Sequence, residues 1–229
     1  MRRLKSALPA LIAILGLVYI FLVPSEPTAL KLSFKLIPMA LIIAYAVWNF
    51  PAAKERYHSL VAVGLAFCMI GDGTLGMFVV GLSAFLIGHL FYVSAFSRRY
   101  RSSRLRFATL VPLGLFAAYM GTELLRALSE DDKGALMAPV VLYILVICAM
   151  AWTAIMTGRA TAIAGSLLFL VSDSILSWNM FVSDVEYAGP LIMLTYYAAQ
   201  FLIAASATDD KTAGLPSAAE AVNGRADGL

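Results

Sequence analysis

Asp72 and Asp173 are carboxylic acids set inside long apolar runs, Phe67-Cys-Met-Ile-Gly-Asp72-Gly-Thr-Leu75 and Phe169-Leu-Val-Ser-Asp173-Ser-Ile-Leu176. An ionisable side chain within a membrane span costs about 2.5–3.5 kcal/mol on insertion scales, so it is retained for structure or for use. Asp72 lies 13 residues past Ser59 and Asp173 13 residues past Ala160, which puts each about 20 Å along its helix from the same side. His89 on the next span, with Tyr143 and Tyr196 near the outer ends of theirs, falls at about 10–12 Å below the opposite face, the same level. Gln200 is one turn below Tyr196 on the same helical face. Two carboxyls in a low-dielectric site do not both ionise easily, so one keeps a proton while the other is an anion. That pair can donate a proton to a substrate and then draw one from water, as paired carboxylates do in glycoside hydrolysis. Which of the two is the acid is open, and they are treated as one coupled titration. The structural alternatives are an interhelical acceptor role for either aspartate, a core position for His89 on the stripe Phe85, His89, Tyr92 and Phe96, and packing roles for the tyrosines.

The elements that must carry these residues follow from composition. The 229 residues are 61% hydrophobic and 14% charged, with a mean hydropathy of +0.84, against about 45–50% apolar and 25% charged in a soluble domain. This excludes a soluble enzyme on a single anchor and a water-soluble nucleic-acid binder. The net charge is +3 and the basic residues sit in loops, which reads as topology, not as an acidic partner. Cys68 and Cys148 lie deep in apolar runs and read as small core residues.

A span needs about 20 apolar residues. Eight stretches qualify, Leu8 to Val23, Ser33 to Trp48, Ser59 to Val79, Gly81 to Ser97, Arg106 to Ala127, Leu136 to Thr157, Ala160 to Trp178 and Ala188 to Ser206. The expected fold is an all-α, polytopic membrane bundle of eight transmembrane helices over residues 1–207, with a disordered cytoplasmic tail over 208–229. The first stretch follows Arg2, Arg3 and Lys5 and has a signal peptide as its alternative reading. With the N-terminus inside, 13 of the 17 Lys and Arg residues fall on the cytoplasmic side, so both termini are expected there. An offset of 101 residues maps Asp72 onto Asp173, Leu75 onto Leu176 and Pro38 onto Pro139, consistent with a parallel four-plus-four repeat.

Metal chemistry is disfavoured by the donor inventory. The histidines are His58 and His89, and a three-His zinc site needs one more. A two-carboxylate, one-histidine set is the arrangement left open. There is no Gly-rich phosphate loop, no Gly-x-Ser-x-Gly elbow and no His-Glu-x-x-His.

The run from Phe67 to Leu75, followed by Gly81-Leu-Ser-Ala-Phe85-Leu-Ile-Gly-His89-Leu-Phe-Tyr92-Val-Ser-Ala-Phe96, resembles the lysoplasmalogenase (YhhN-like) membrane proteins. Lys35-Leu-Ile-Pro38-Met, Tyr143 and Met150, Gly165 through Ser172-Asp173 to Leu176, and Thr195-Tyr196-Tyr197-Ala-Ala-Gln200 extend the resemblance over roughly residues 30–206. The chain departs from the family in having Gly73 and Gly76 after its first Gly-Asp. The resemblance implies hydrolysis of the vinyl ether bond of a lysoplasmalogen, giving a fatty aldehyde and glycerophosphocholine or glycerophosphoethanolamine. It implies Asp72 and Asp173 as the catalytic pair. His89, Tyr92, Tyr143, Ser172, Tyr196, Tyr197 and Gln200 would support them, and Lys35, near the outer surface, would meet the lipid phosphate. No cofactor is called for. The expected partners are a lysophospholipid substrate and the bilayer, without nucleic acid, and the expected place is a membrane, the cytoplasmic (inner) one if the source is bacterial. A proton-coupled transporter using the same Asp and His residues is the runner-up, and a metal-dependent lipid amide hydrolase the third reading.

Overall fold

The computed structural model describes residues 2–24 and 26–208, and among them every regular element is helical. The elements are α1 (Arg2–Phe21), α2 (Thr28–Asn49), α3 (Arg56–Thr74), α4 (Phe78–Ser97), α5 (Arg104–Phe107), α6 (Leu110–Glu130), a 3-10 turn (Gly134–Leu136), α7 (Met137–Thr157), α8 (Ala160–Phe181) and α9 (Ala188–Ser206). Each of the eight apolar stretches has its larger part in one long helix. Six segments are long and apolar enough to cross a membrane: α2, α4, Arg104–Glu130, Gly134–Thr157, α8 and α9. The chain is an integral, multi-pass membrane protein. In α1 the apolar segment is the shorter Ala7–Phe21, and α3 carries Arg56, His58 and Asp72. The tail expected to be disordered lies, from residue 209, outside the described residues.

Two boundaries differ from expectation. The third stretch does not continue to Val79: α3 stops at Thr74 and α4 starts at Phe78. Gly73 and Gly76 flank that stop, and glycine costs a helix interior about 1 kcal/mol relative to alanine. Asp72 therefore sits in the last turn of α3. The fifth stretch is divided, because Ser103 caps the short α5 by accepting the Arg106 backbone N–H at 3.5 Å, and α6 starts afresh at Leu110.

The main core lies among α1, α2, α3, α4, α7, α8 and α9. Helix α1 packs on α2 and α9, and α6 leans on α7, α8 and the 3-10 turn. The closest pairs are α3 with α4 and α8 with α9. Gly64 in α3 faces the Tyr92 ring so closely that no Cβ fits, and a Cβ on Gly165 in α8 would stand 2.9 Å from the Ile203 backbone nitrogen and 3.0 Å from the Ala199 carbonyl oxygen of α9. Gly64 and Gly165 are themselves 101 residues apart.

The two ends of the bundle differ in charge. At one end Arg99 meets Glu55 at 3.2 Å and lies 5.1 Å over the Tyr57 ring. There Arg106 and Arg159 donate to the Met156 and Ser206 carbonyls at 3.3 and 2.9 Å, satisfying acceptors at the ends of α7 and α9, where a cation also suits the helix dipole. The opposite end holds Glu130, Asp131, Asp184 and Glu186.

Candidate active site

Asp72 is 4% exposed, and both of its carboxylate oxygens are engaged. Lys35 of α2 places its ammonium 3.0 Å from Oδ1, and Tyr196 of α9 donates its hydroxyl to Oδ2 at 2.6 Å. The same ammonium lies 3.5 Å from the Asp72 backbone carbonyl, one of the last four acceptors of α3, which have no partner within the helix. Lys35 thus balances a carboxylate and caps a helix end, and its side chain is 13% exposed. It reaches inward, in place of the outward course toward a phosphate expected above. Tyr197 donates to the Lys35 carbonyl at 2.8 Å, which ties α9 to α2 one turn before Pro38.

Asp173 has different surroundings. Tyr143 of α7 donates its hydroxyl to Asp173 Oδ2, and the half-buried carboxyl lines an apolar cavity between α4, α6, α7 and α8. Asp173 is the one ionisable carboxyl on its wall; Tyr143, Ser174 and Ser177 add hydroxyls and the remainder is apolar. Ser174 and Ser177 spend their protons on the carbonyls of Leu170 and Ser174, at 2.5 and 3.2 Å, so what each offers a ligand is oxygen lone pairs.

The two carboxyls come near each other without sharing this cavity. Phe85 of α4 lines it, and the same ring packs so tightly on Gly71 that a Cβ there would lie 2.7 Å away. It meets Tyr196 and Phe169 edge-on, with ring centres 6.1 and 6.4 Å apart. Phe85 thus separates the Asp72 turn from the cavity, and Asp72 is absent from the wall. The two aspartates differ in their surroundings: Asp173 faces the cavity and Asp72 is ion-paired with Lys35.

The supporting residues divide accordingly. His89 is fully buried, its ring 5.3 Å from Tyr143 and 4.6 Å from Phe169. It is not hydrogen-bonded to either carboxyl. Tyr92 donates to Gln200 Oε1 at 2.7 Å, joining α4 to α9, and Ser172 donates to the Ile192 carbonyl at 2.9 Å, joining α8 to α9. Among the described residues no three His, Cys, Asp or Glu side chains gather where they could hold a metal ion. Sequence reasoning missed Phe85 as the partition, Ser174 and Ser177, and the whole contribution of α6. The signals were present: the serines stand one and four places after Asp173, and Phe116, Met120 and Leu124 recur every fourth residue along one face of α6.

A family model described as the YhhN family matches residues 30–207. The lysoplasmalogenase TMEM86A of Bos taurus is 32% identical over 214 residues, covering 84% of this chain and 84% of that protein. The lysoplasmalogenase TMEM86A of Homo sapiens is 31% identical over 215 residues, again with 84% of each covered. A lysoplasmalogenase of Mycobacterium tuberculosis (strain CDC 1551 / Oshkosh) is 31% identical over 178 residues, covering 73% of this chain and 66% of that one. No solved structure matches the chain.

Proposed function

Since this chain belongs to the YhhN family, we propose that it is a lysoplasmalogenase, cleaving the vinyl ether of a lysoplasmalogen to a fatty aldehyde and glycerophosphocholine or glycerophosphoethanolamine. The observation that carries the reading is a single carboxyl, oriented by a tyrosine hydroxyl, on the wall of an otherwise apolar cavity. A vinyl ether reacts by protonation at its β-carbon, which leaves an oxocarbenium ion at the α-carbon. Asp173 supplies that proton through the oxygen that Tyr143 does not occupy. The resulting carboxylate then faces the cation and takes a proton from the water that adds to it, a change of role that carboxylates also make in glycoside hydrolysis. The hemiacetal so formed loses the glycerol oxygen as an alcohol, and one water has been consumed for one aldehyde released.

Asp72 supports this chemistry as an anion already matched by Lys35, which lets Asp173 hold the one proton that two nearby carboxyls would otherwise contest. Tyr196 and Gln200 on α9, with Tyr92 and Tyr197, keep that charge in place. Purified protein in detergent, given a lysoplasmalogen and assayed for aldehyde, is expected to release it, and Asp173→Asn is expected to lower the rate by about 10²–10⁴, the usual range for a positioned acid. Undiminished release from Asp173→Asn would overturn the assignment.

The same reading extends to topology. Eight crossings, with the arginine-rich end in the cytoplasm, account for α1 and α3 as spans that lean on their neighbours, and for Lys54, Arg56, Arg98, Arg99, Arg101, Arg104, Arg106 and Arg159 lying at one end. The matched helix pairs α3–α4 and α8–α9, each closed over a glycine at the 101-residue offset, support a duplicated four-helix unit.

A further inference from the structure

The cavity beside Asp173 is asymmetric in a way the hydrolysis itself does not require. From Asp173 it follows α8 through Leu176 and Ser177 to Met180 and Phe181, eight residues or about 12 Å along the helix. Leu124 of α6 and Phe78 of α4 stand at that far end. Phe78 and Phe181 close it edge-to-face, with ring centres 5.4 Å apart, and Leu124 is 1% exposed. The wall opposite α8 is α6, the peripheral helix, whose other face presents Val111, Leu115 and Tyr119 outward at 66, 68 and 59% exposure.

We propose that this apolar arm seats the hydrocarbon chain of the substrate and that Leu124, with Phe181, sets the chain length accepted. The proposal rests on the lysoplasmalogenase reading and specifies where that substrate's single chain goes. An apolar arm starting at the proton donor fits an unbranched alkenyl chain whose first carbons are the reacting double bond. A chain leaving the bilayer gains little from dehydration, because lipid tails are as apolar as leucine. Length is therefore read by steric fit: a chain too long meets Leu124 and Phe181, and one too short leaves a void against them.

The test is a series of lysoplasmalogens differing in alkenyl length, with kcat/KM measured for the wild type, Leu124→Trp, Leu124→Ala and Phe181→Ala, each first checked for a cooperative thermal transition. Leu115→Trp, on the lipid-facing side of α6, is the control. Leu124→Trp is expected to move the optimum to shorter chains, lowering kcat/KM for the wild-type optimum by at least about tenfold relative to a shorter homologue. Leu124→Ala and Phe181→Ala are expected to move it to longer ones, with Leu115→Trp keeping the wild-type profile. Profiles that stay superimposable in all folded variants would overturn the chain seat while leaving the hydrolase reading intact. A wild type that releases no aldehyde at any length would overturn both. As a readout free of turnover, a lysophospholipid with a diazirine at its chain end is expected to label peptides containing Leu124 or Phe181, and labelling spread over the lipid-facing residues of α6 would count against the seat.

Discussion

An ion pair in the last turn of α3 gives Asp72 a different task from Asp173. Removing the cation leaves a carboxylate with 3% of its side chain exposed and no counter-charge, and breaking one side of a buried pair typically costs about 3–5 kcal/mol. Lys35→Met is therefore expected to lower the thermal midpoint of the detergent-solubilised protein strongly, whereas Lys35→Met combined with Asp72→Asn recovers most of that loss. Equal loss in the single and double variants would show that the ammonium acts by capping α3 alone. Both aspartates were legible in the sequence because a carboxyl in an apolar run is too costly to be incidental. Their positions along their helices follow from the fixed rise of 1.5 Å per residue. Their facing does not. Which way a side chain points around its helix depends on the rotation of that helix against its neighbours, and Lys35 stands 37 residues before the carboxylate it neutralises.

At the scale of elements, the packing of α8 on α9 depends on Gly165. A side chain there would press on the α9 backbone at Ala199 and Ile203, which cannot swing aside as a flexible side chain could. Gly165→Leu is expected to destabilise by at least the roughly 1–3 kcal/mol typical of overpacking. Gly114→Ala in α6, where nothing lies within 4 Å of the added carbon, is expected to be neutral or to stabilise by about 0.5–1 kcal/mol. Thermal unfolding followed by circular dichroism distinguishes the two. The eight long helices were readable because twenty apolar residues have few other fates. The end of α3 was not, because Val79 and Val80 continue the apolar run and outweigh Gly73 and Gly76 in a hydropathy count, although backbone entropy favours the stop. The contribution of α6 was hidden for a related reason: a helix in lipid is apolar on every side, so the face that lines a cavity is not marked by polarity.

For the whole molecule, charge asymmetry predicts sidedness. With Cys68 and Cys148 buried and free, cysteines introduced singly report the orientation of their loops to an impermeant maleimide. Ser102→Cys is expected to be labelled from the cytoplasmic side, and Asp131→Cys and Glu186→Cys from the opposite one; all three reacting from one side would sink the eight-crossing arrangement. The expectation comes from the sequence alone, since loop charge acts on the chain as a unit during insertion and needs no knowledge of helix rotation. The seam between α6 and α8 has one more consequence. Tyr119 of α6 lies stacked on Trp178 of α8, ring centres 6.1 Å apart at 21°, while Trp152 sits with Tyr100 and Phe107 near the arginine-rich end. An indole thus bridges the two helices that carry Met120, Leu124, Ser177 and Phe181 of the cavity wall, so the fluorescence of the unlabelled protein carries a native gauge of whether α6 and α8 stay together.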